Sequence, residues 1–253
     1  MRVIKPSYEI WNADILRDAL PRIERAARVA YKSEDRIDLG REPCAKCVGS
    51  GWLLHKYPHN ELAGVHKCSD CEGVGGFQVR EPSYLTLLRK LLSRDPPHVS
   101  VIEHAFLTVK IICDRGVTHE LVRHRLASYT QESTRYCNYT KEKFGGEVTF
   151  IRPFFWNEDT ARYKIWLEAM ANTENAYLSL IEKGASAQEA RSVLPNSLKT
   201  EIVVTANLRE WRHIFKMRCD KAAHPQMREV MRPLWRELSK LLPLVFDGLG
   251  GSE

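Results

Sequence analysis

The sequence predicts an α+β fold carrying one small inserted module. Three observations lead there. Long amphipathic helical stretches stand beside runs rich in β-branched residues; the two do not alternate as regular βαβ units; and residues 40–77 form a glycine-rich segment holding two Cys-x-x-Cys pairs. The expected organisation is a main domain from residues 1–39 and 78–253, interrupted by a module at 40–77.

Taken in order, residues 12–30 read as a helix broken at Pro21, with Ile23, Ala26, Ala27 and Ala30 on one face. After the cysteine segment, residues 83–93 place Tyr84, Leu85, Leu88, Leu91 and Leu92 at helical spacing until Pro96-Pro97 ends the helix. Residues 105–113 read as a strand, 117–125 as a helix and 148–151 as a short strand. Residues 159–183 form a long helix with Tyr163, Trp166, Met170, Tyr177 and Ile181 inward and Gly184 as its C-terminal cap. A strand at 198–206, a helix at 208–218 and a helix at 225–246 kinked at Pro233 complete the chain.

Composition excludes several classes. At 253 residues with 43% hydrophobic and 28% charged, the chain is neither disordered, collagenous nor disulfide-dense. No apolar run approaches the ~20 residues of a membrane helix, and the first residues carry no apolar h-region, so a cytoplasmic protein with no membrane partner is expected. The net charge of +6 is too mild to argue by itself for nucleic acid, which is not an expected partner.

Cys44-Ala-Lys-Cys47-Val-Gly-Ser-Gly and Cys68-Ser-Asp-Cys71-Glu-Gly-Val-Gly repeat one pattern, C-x-x-C-x-G-x-G. Each knuckle turns two thiolates toward one point, and four thiolates fill a tetrahedral zinc shell; the glycines supply the positive φ of the turn. Two disulfides or a redox dithiol are the competing readings, and seven cysteines without a secretory signal fit a disulfide framework poorly. Cys44, Cys47, Cys68 and Cys71 are therefore expected to hold one structural Zn2+. The pattern resembles half of the cysteine-rich domain of DnaJ-type chaperones. Trp52, His55, Lys56, Tyr57 and His59 lie between the knuckles, where covering a small ribbon is the common role and nucleic-acid contact the rarer one.

The densest chemical signal is Arg123-His124-Arg125-Leu-Ala-Ser128-Tyr-Thr-Gln131-Glu132-Ser133-Thr134-Arg135-Tyr136. Arginine forks grip phosphate or carboxylate bidentately, and serine hydroxyls complete an anion cradle. For an arbitrary arginine cluster, a solvated helix end with weak surface ion pairs is the commoner explanation. Here the order is specific: Arg-His-Arg, seven residues, then Ser133 resembles the signature of the flavin-dependent thymidylate synthases. His98-Val-Ser100-Val-Ile-Glu103-His104 upstream, and Ala190-Arg191-Ser-Val-Leu-Pro195, Asn207-Leu-Arg209 and Arg218 downstream, extend the resemblance over nearly the whole chain apart from 40–77.

That resemblance implies reductive methylation of dUMP to dTMP, with methylenetetrahydrofolate as cosubstrate, NADPH as reductant and FAD as cofactor, in a homotetramer with active sites between subunits. It places Ser100, Glu103, Arg123, His124, Arg125, Gln131, Asn207, Arg209 and His213 on flavin-contacting positions. Glu120, Arg123, Gln131, Glu132, Ser133, Thr134, Arg135, Arg191 and Arg218 fall on dUMP-contacting ones. Arg218 matches the arginine that favours the ionised pyrimidine, His98 the histidine near flavin and folate, and Ser133 a ligand of the nucleotide. Ala30 stands where some members have a flavin-contacting serine, and His213 where asparagine is frequent. The absence of a G-x-G-x-x-G or P-loop run agrees with a nucleotide site built from arginines. The alternative class is a zinc-ribbon nucleic-acid-binding protein whose arginines meet backbone phosphates; a zinc interaction module on an inactive scaffold is a third.

Overall fold

The computed structural model describes residues 1–16, 18–46, 52–55, 64–72, 76–78 and 81–249. Its elements in chain order are β1 (Arg2–Ile4), β2 (Ser7–Ile10), α1 (Ala13–Leu16), α2 (Ala19–Val29), β3 (Arg41–Pro43), β4 (Trp52–His55), β5 (Gly64–Lys67) and β6 (Gly76–Gln78). They continue with α3 (Ser83–Leu92), β7 (Phe106–Asp114), α4 (Arg115–Leu121), β8 (Ala127–Gln131), β9 (Thr149–Ile151) and α5 (Ala161–Glu182). The chain closes with α6 (Ala187–Ala190), β10 (Lys199–Asn207), α7 (Leu208–Arg218), α8 (Pro225–Leu241) and α9 (Pro243–Phe246). Helices and sheets are mixed without βαβ alternation, as expected for α+β. Two compact units form: Met1–Arg17 with Ile102–Glu253, and Asp18–Val101.

The first unit is organised by a four-stranded antiparallel sheet in the order β2-β7-β10-β8. Val109 pairs with Val204, and Val204 in turn with Tyr129. The strands alternate strictly. Leu107, Val109, Ile111 and Cys113 of β7 and Thr200, Ile202, Val204 and Ala206 of β10 are buried, while their neighbours in the strands, apart from the buried Asp114 that ends β7, are half-buried or exposed. On the buried face lie Trp211 and Phe215 of α7, and Trp211 Nε1 donates to the Leu107 carbonyl at 3.0 Å. Phe215 meets Phe246 of α9 edge-on, with ring centroids 5.7 Å apart. A second core gathers under α5, where Tyr163, Trp166, Met170 and Tyr177 pack with Val148, Phe150 and Leu198. Gly184, at φ +92°, follows α5 as its expected cap.

In the second unit, α2 buries Ala19, Ile23 and Ala27 and pairs with α3, which buries Leu88 and Leu91. Glu24 is fully buried yet satisfied: Arg28 Nε donates to one carboxylate oxygen at 2.9 Å and Ser83 Oγ to the other at 2.8 Å. Short antiparallel pairs β3–β6 and β4–β5 belong to the cysteine-bearing segment.

Several boundaries differ from expectation. Pro21 does not break the N-terminal helix. It sits in the first turn of α2, where its missing N–H has no helical partner to lose, and the interruption falls between Leu16 and Ala19. The last helix runs through the exposed Pro233 and stops at Leu242 instead, because a residue before proline avoids the α region. Helix α4 begins two residues early, since Asp114 caps it by accepting the Val117 N–H at 2.8 Å. Strand β8 was not foreseen; Ala-Ser-Tyr-Thr-Gln is a polar edge strand paired only with β10.

Ile202→Ala should cost about 2–5 kcal/mol of stability, the scale of a truncated core aliphatic, and Val203→Ala clearly less, read by denaturant unfolding. Equal losses would contradict the alternation of β10.

Candidate active site

Helix α7 carries one charged stripe: Glu210, His213 and Arg218 lie at i, i+3 and i+8. The chain leaving α4 packs His124 against that stripe. Arg218 Nε donates to His124 Nε2 at 3.0 Å, its Nη1 to Glu120 Oε2 at 2.8 Å and its Nη2 to the Glu120 carbonyl at 2.8 Å. Three of the five guanidinium N–H bonds are thus committed and two remain. The Glu120 carbonyl belongs to the last turn of α4, where such groups lack helical partners, so Arg218 also caps that helix.

Behind His124 stands Glu210, 7% exposed, with Oε1 3.4 Å from His124 Nδ1. His213 meets the His124 ring edge-on at 5.3 Å. The Tyr129 hydroxyl lies 2.8 Å from the His124 carbonyl and 2.9 Å from that of Leu121, steadying the turn. Burial first, then Arg218 and His213, push His124 down to about 4, so at neutral pH the ring is uncharged and its Nδ1 faces the Glu210 carboxylate as a neutral group. Burial raises Glu210 above the ordinary carboxylate range and, aided by Glu210, pushes Tyr129 up to about 12. Donor atoms of His124, Glu210 and His213 lie within 4.8 Å of one another, the spacing of a metal site. With Nε2 already accepting from a guanidinium, that nitrogen has no lone pair left for a metal. Glu120 also lines a cavity of about 370 Å³ with Asp114, His119, Ser197 and His224.

The other expected residues distribute as follows. Asn207 spends its side-chain oxygen capping α7, accepting the Glu210 N–H at 2.8 Å. Arg209 pairs with Glu103. Gln131 donates to Thr118 and Thr200 hydroxyls at 3.0 and 3.2 Å. Glu132 accepts from Tyr139 at 3.0 Å and Lys199 at 2.9 Å, and lines a cavity of about 790 Å³ on the sheet face turned away from α7. Ser133 Oγ accepts the Arg135 N–H at 3.3 Å; Arg135 lies over the Tyr136 ring. Thr134 is buried and accepts from Arg191 at 3.5 Å. Arg123 and Arg125 are exposed, with no hydrogen-bond or ion-pair partner for their side chains among the described residues. His98 and Ser100 are exposed residues of the second unit. No described hydrogen bond or ion pair joins Arg123, Arg125, Ser133 or Arg135 to Arg218. Glu210 escaped sequence reasoning, although its place on one stripe with His213 and Arg218 was a usable signal.

Cys44, Cys68 and Cys71 are buried together, with Cys44 Sγ 3.8 Å from Cys68 Sγ and all three sulfurs within 4.8 Å. Cys47, along with Lys56, Tyr57, His59 and the knuckle glycines, lies outside the described residues, as do the side chains of Trp52 and His55.

An antiparallel sheet feeding two helices whose ends share one arginine defines an α+β protein with a polar cluster at the join of those helices. The chain belongs to the thymidylate synthase complementing protein family, whose family model matches residues 14–244. A flavin-dependent thymidylate synthase of Geobacter sulfurreducens is 36% identical over 204 residues, covering 78% of this chain and 85% of that protein. One of Pyrococcus furiosus is 42% identical over 144 residues, covering 56% of this chain. One of Corynebacterium glutamicum is 33% identical over 165 residues, 59% of this chain. The chain spans 58% of the length of the Pyrococcus furiosus relative. No helix among the described residues is long and apolar enough to cross a membrane.

The depressed His124 has a pH consequence. The unfolded imidazole takes up a proton near 6.5 and the folded one only near 4, so stability is full above 6.5 and falls as pH drops through that window. The loss at the acid end is about 3 kcal/mol. Unfolding curves across this range should flatten in His124→Gln; an unchanged slope would show that His124 is not buried neutral.

Proposed function

We propose that the protein is a flavin-dependent thymidylate synthase, methylating dUMP to dTMP with methylenetetrahydrofolate as carbon donor and NADPH as reductant. The carrying observation is Arg218, clamped by His124 and Glu120 with two N–H groups unspent. A fixed cation beside the uracil stabilises negative charge as the ring loses its N3 proton, which makes C5 the carbon nucleophile. Because the clamp sets its orientation in advance, Arg218 pays little reorganisation when that charge develops.

FAD, when bound, supplies the reducing equivalents. The donor set fits it: the exposed, unpaired forks of Arg123 and Arg125 suit a pyrophosphate, with Arg209, Asn207, His213, Gln131, Ser100 and Glu103 around it by family resemblance. Ser133, Thr134, Arg135, Arg191, Glu120 and Glu132 take the dUMP positions, and His98 stands with flavin and folate. Arg123, Arg125 and Arg135 are exposed on the single chain, which supports a homotetramer in which each active site draws arginines from more than one subunit.

The second part of this reading is one structural zinc in the inserted segment at 40–77. Tetrahedral Zn–S bonds of about 2.3 Å put sulfurs about 3.8 Å apart, which is the Cys44–Cys68 separation. A disulfide needs about 2.05 Å. Cys71 supplies a third ligand and Cys47 the fourth by pattern.

Purified protein should form dTMP only when dUMP, methylenetetrahydrofolate, FAD and NADPH are all present; full turnover of flavin-stripped protein without added FAD would sink the proposal. Arg218→Ala should keep FAD and lose about 10²–10³ in rate, and near-normal turnover would assign ring activation elsewhere. Metal analysis should find one zinc per chain, lost in Cys44→Ser/Cys68→Ser while flavin is retained. Zinc kept by that variant would refute the ligand set, and flavin lost with it would refute a separable structural role.

A further inference from the structure

The Arg218 clamp has a hidden support that the sequence pattern does not name. We infer that Glu210 is a positioning residue: through the His124 ring it holds Arg218 in the orientation that meets substrate. The kinetic side of this inference rests on the thymidylate synthase reading; the structural side does not.

The argument is one of donors and acceptors. An arginine Nε always carries its hydrogen, so the 3.0 Å contact from Arg218 requires a lone pair on His124 Nε2. A neutral ring then carries its proton on Nδ1, the nitrogen facing Glu210 Oε1 at 3.4 Å. His124 is 6% exposed and Glu210 7%, so water does not easily substitute for either. Without an acceptor at Nδ1, a proton there is buried unpaired, while a proton on Nε2 meets the Arg218 Nε–H, and two donors cannot share that contact; both forms are then penalised and the hold on Arg218 loosens. Glu210 therefore selects the tautomer, the tautomer accepts from Arg218, and Glu120 fixes the far side of the same guanidinium.

Glu210 is itself held. Its backbone N–H donates to the Asn207 side chain in the first turn of α7, and its carboxylate sits near the N-terminal end of that helix, where negative charge is favoured. With Nε2 accepting from Arg218 and Nδ1 turned to the buried Glu210 carboxylate, the His124 ring orients Arg218 from inside the chain. This separates its role from that of the neighbouring Arg123 and Arg125, whose side chains are exposed.

Ring-nitrogen NMR of isotopically labelled holoenzyme, with His124 assigned by comparison with His124→Gln, should show Nδ1 protonated and Nε2 bare. Glu210→Gln keeps an oxygen acceptor of the same shape and should preserve both the tautomer and most of the activity. Glu210→Leu fills the space without an acceptor. It should shift the ring toward Nε2–H and lower kcat/KM for dUMP on the order of 10- to 100-fold, as loss of an orienting partner does, with flavin content unchanged. A wild-type ring protonated on Nε2 would overturn the inference outright, whether or not Glu210→Leu folds. So would a Glu210→Leu enzyme with native tautomer and native kcat/KM. If the wild-type protein makes no dTMP, the functional reading falls alone, and the two tautomer measurements still decide the role of Glu210.

Discussion

The nine-residue antiparallel register between β7 and β10 is the constraint from which the site follows. Because the strands run oppositely, α4 starts beyond one end of the pair, after Asp114, and α7 beyond the other, after Asn207. Both helices then return across the same buried face of the sheet and approach each other there. The C-terminal end of α4 carries unpaired carbonyls and partial negative charge. Arg218 from the last turn of α7 answers both, donating to the Glu120 carbonyl and carboxylate together. One side chain thus closes a helix, couples two elements distant in sequence, and presents a cation at the join.

That geometry explains what was legible in the sequence. The strand at Phe106–Asp114, the strand at Lys199–Asn207 and the helix at Leu208–Arg218 could be read within one or two residues, because their burial follows a strict period. Arg123, His124, Arg125 and Arg218 could be singled out because their order is unusual for a core. What could not be read was which partner each side chain takes. Glu120 and His124 meet Arg218 across more than ninety residues, and no local period encodes that pairing. Glu210 was invisible for a plainer reason: a glutamate in a first helical turn is ordinarily explained by the helix dipole alone. The misplaced boundaries at Pro21 and Asp114 share one physical cause. In each, the cost of a proline or the value of a cap depended on whether a backbone group had another partner, which the sequence does not display.

The polar residues of the signature divide into two populations. Gln131 and Glu132 serve the fold: one bridges Thr118 and Thr200, and the other ties Tyr139 to Lys199 across adjacent strands. Burial and Glu132 raise Tyr139 far above the ordinary phenol range, so its hydroxyl stays a donor at every physiological pH. A half-buried carboxylate with two such partners is costly to strip of either one. Arg123, Arg125 and Arg135 form the second population, exposed and without carboxylate partners among the described residues. Surface arginines ordinarily collect weak ion pairs; these three, within thirteen residues, collect none, and so keep their full capacity for phosphate.

Arg218 and the exposed arginines would, under the proposed function, handle charge in two different ways. In the proposed reaction the cation that acts on a developing charge is restrained beforehand: Arg218 has three bonds, one of them to His124, so little entropy or reorganisation would remain to be lost on binding. Where a cation must only gather phosphates, restraint is unnecessary, since a dianion attracts a mobile guanidinium at any approach angle and binding can order it. An exposed arginine loses rotamer freedom when it binds, a cost of up to about 2 kcal/mol, and a charge-assisted bidentate bond outweighs that cost for phosphate more readily than for the diffuse charge of a pyrimidine ring. The chain places its restrained arginine at the end of a helix lying on the sheet and its unrestrained ones in the turn that follows α4 and beyond β8. Under the proposed function, rigidity thus falls on the one side chain whose aim would decide the chemistry.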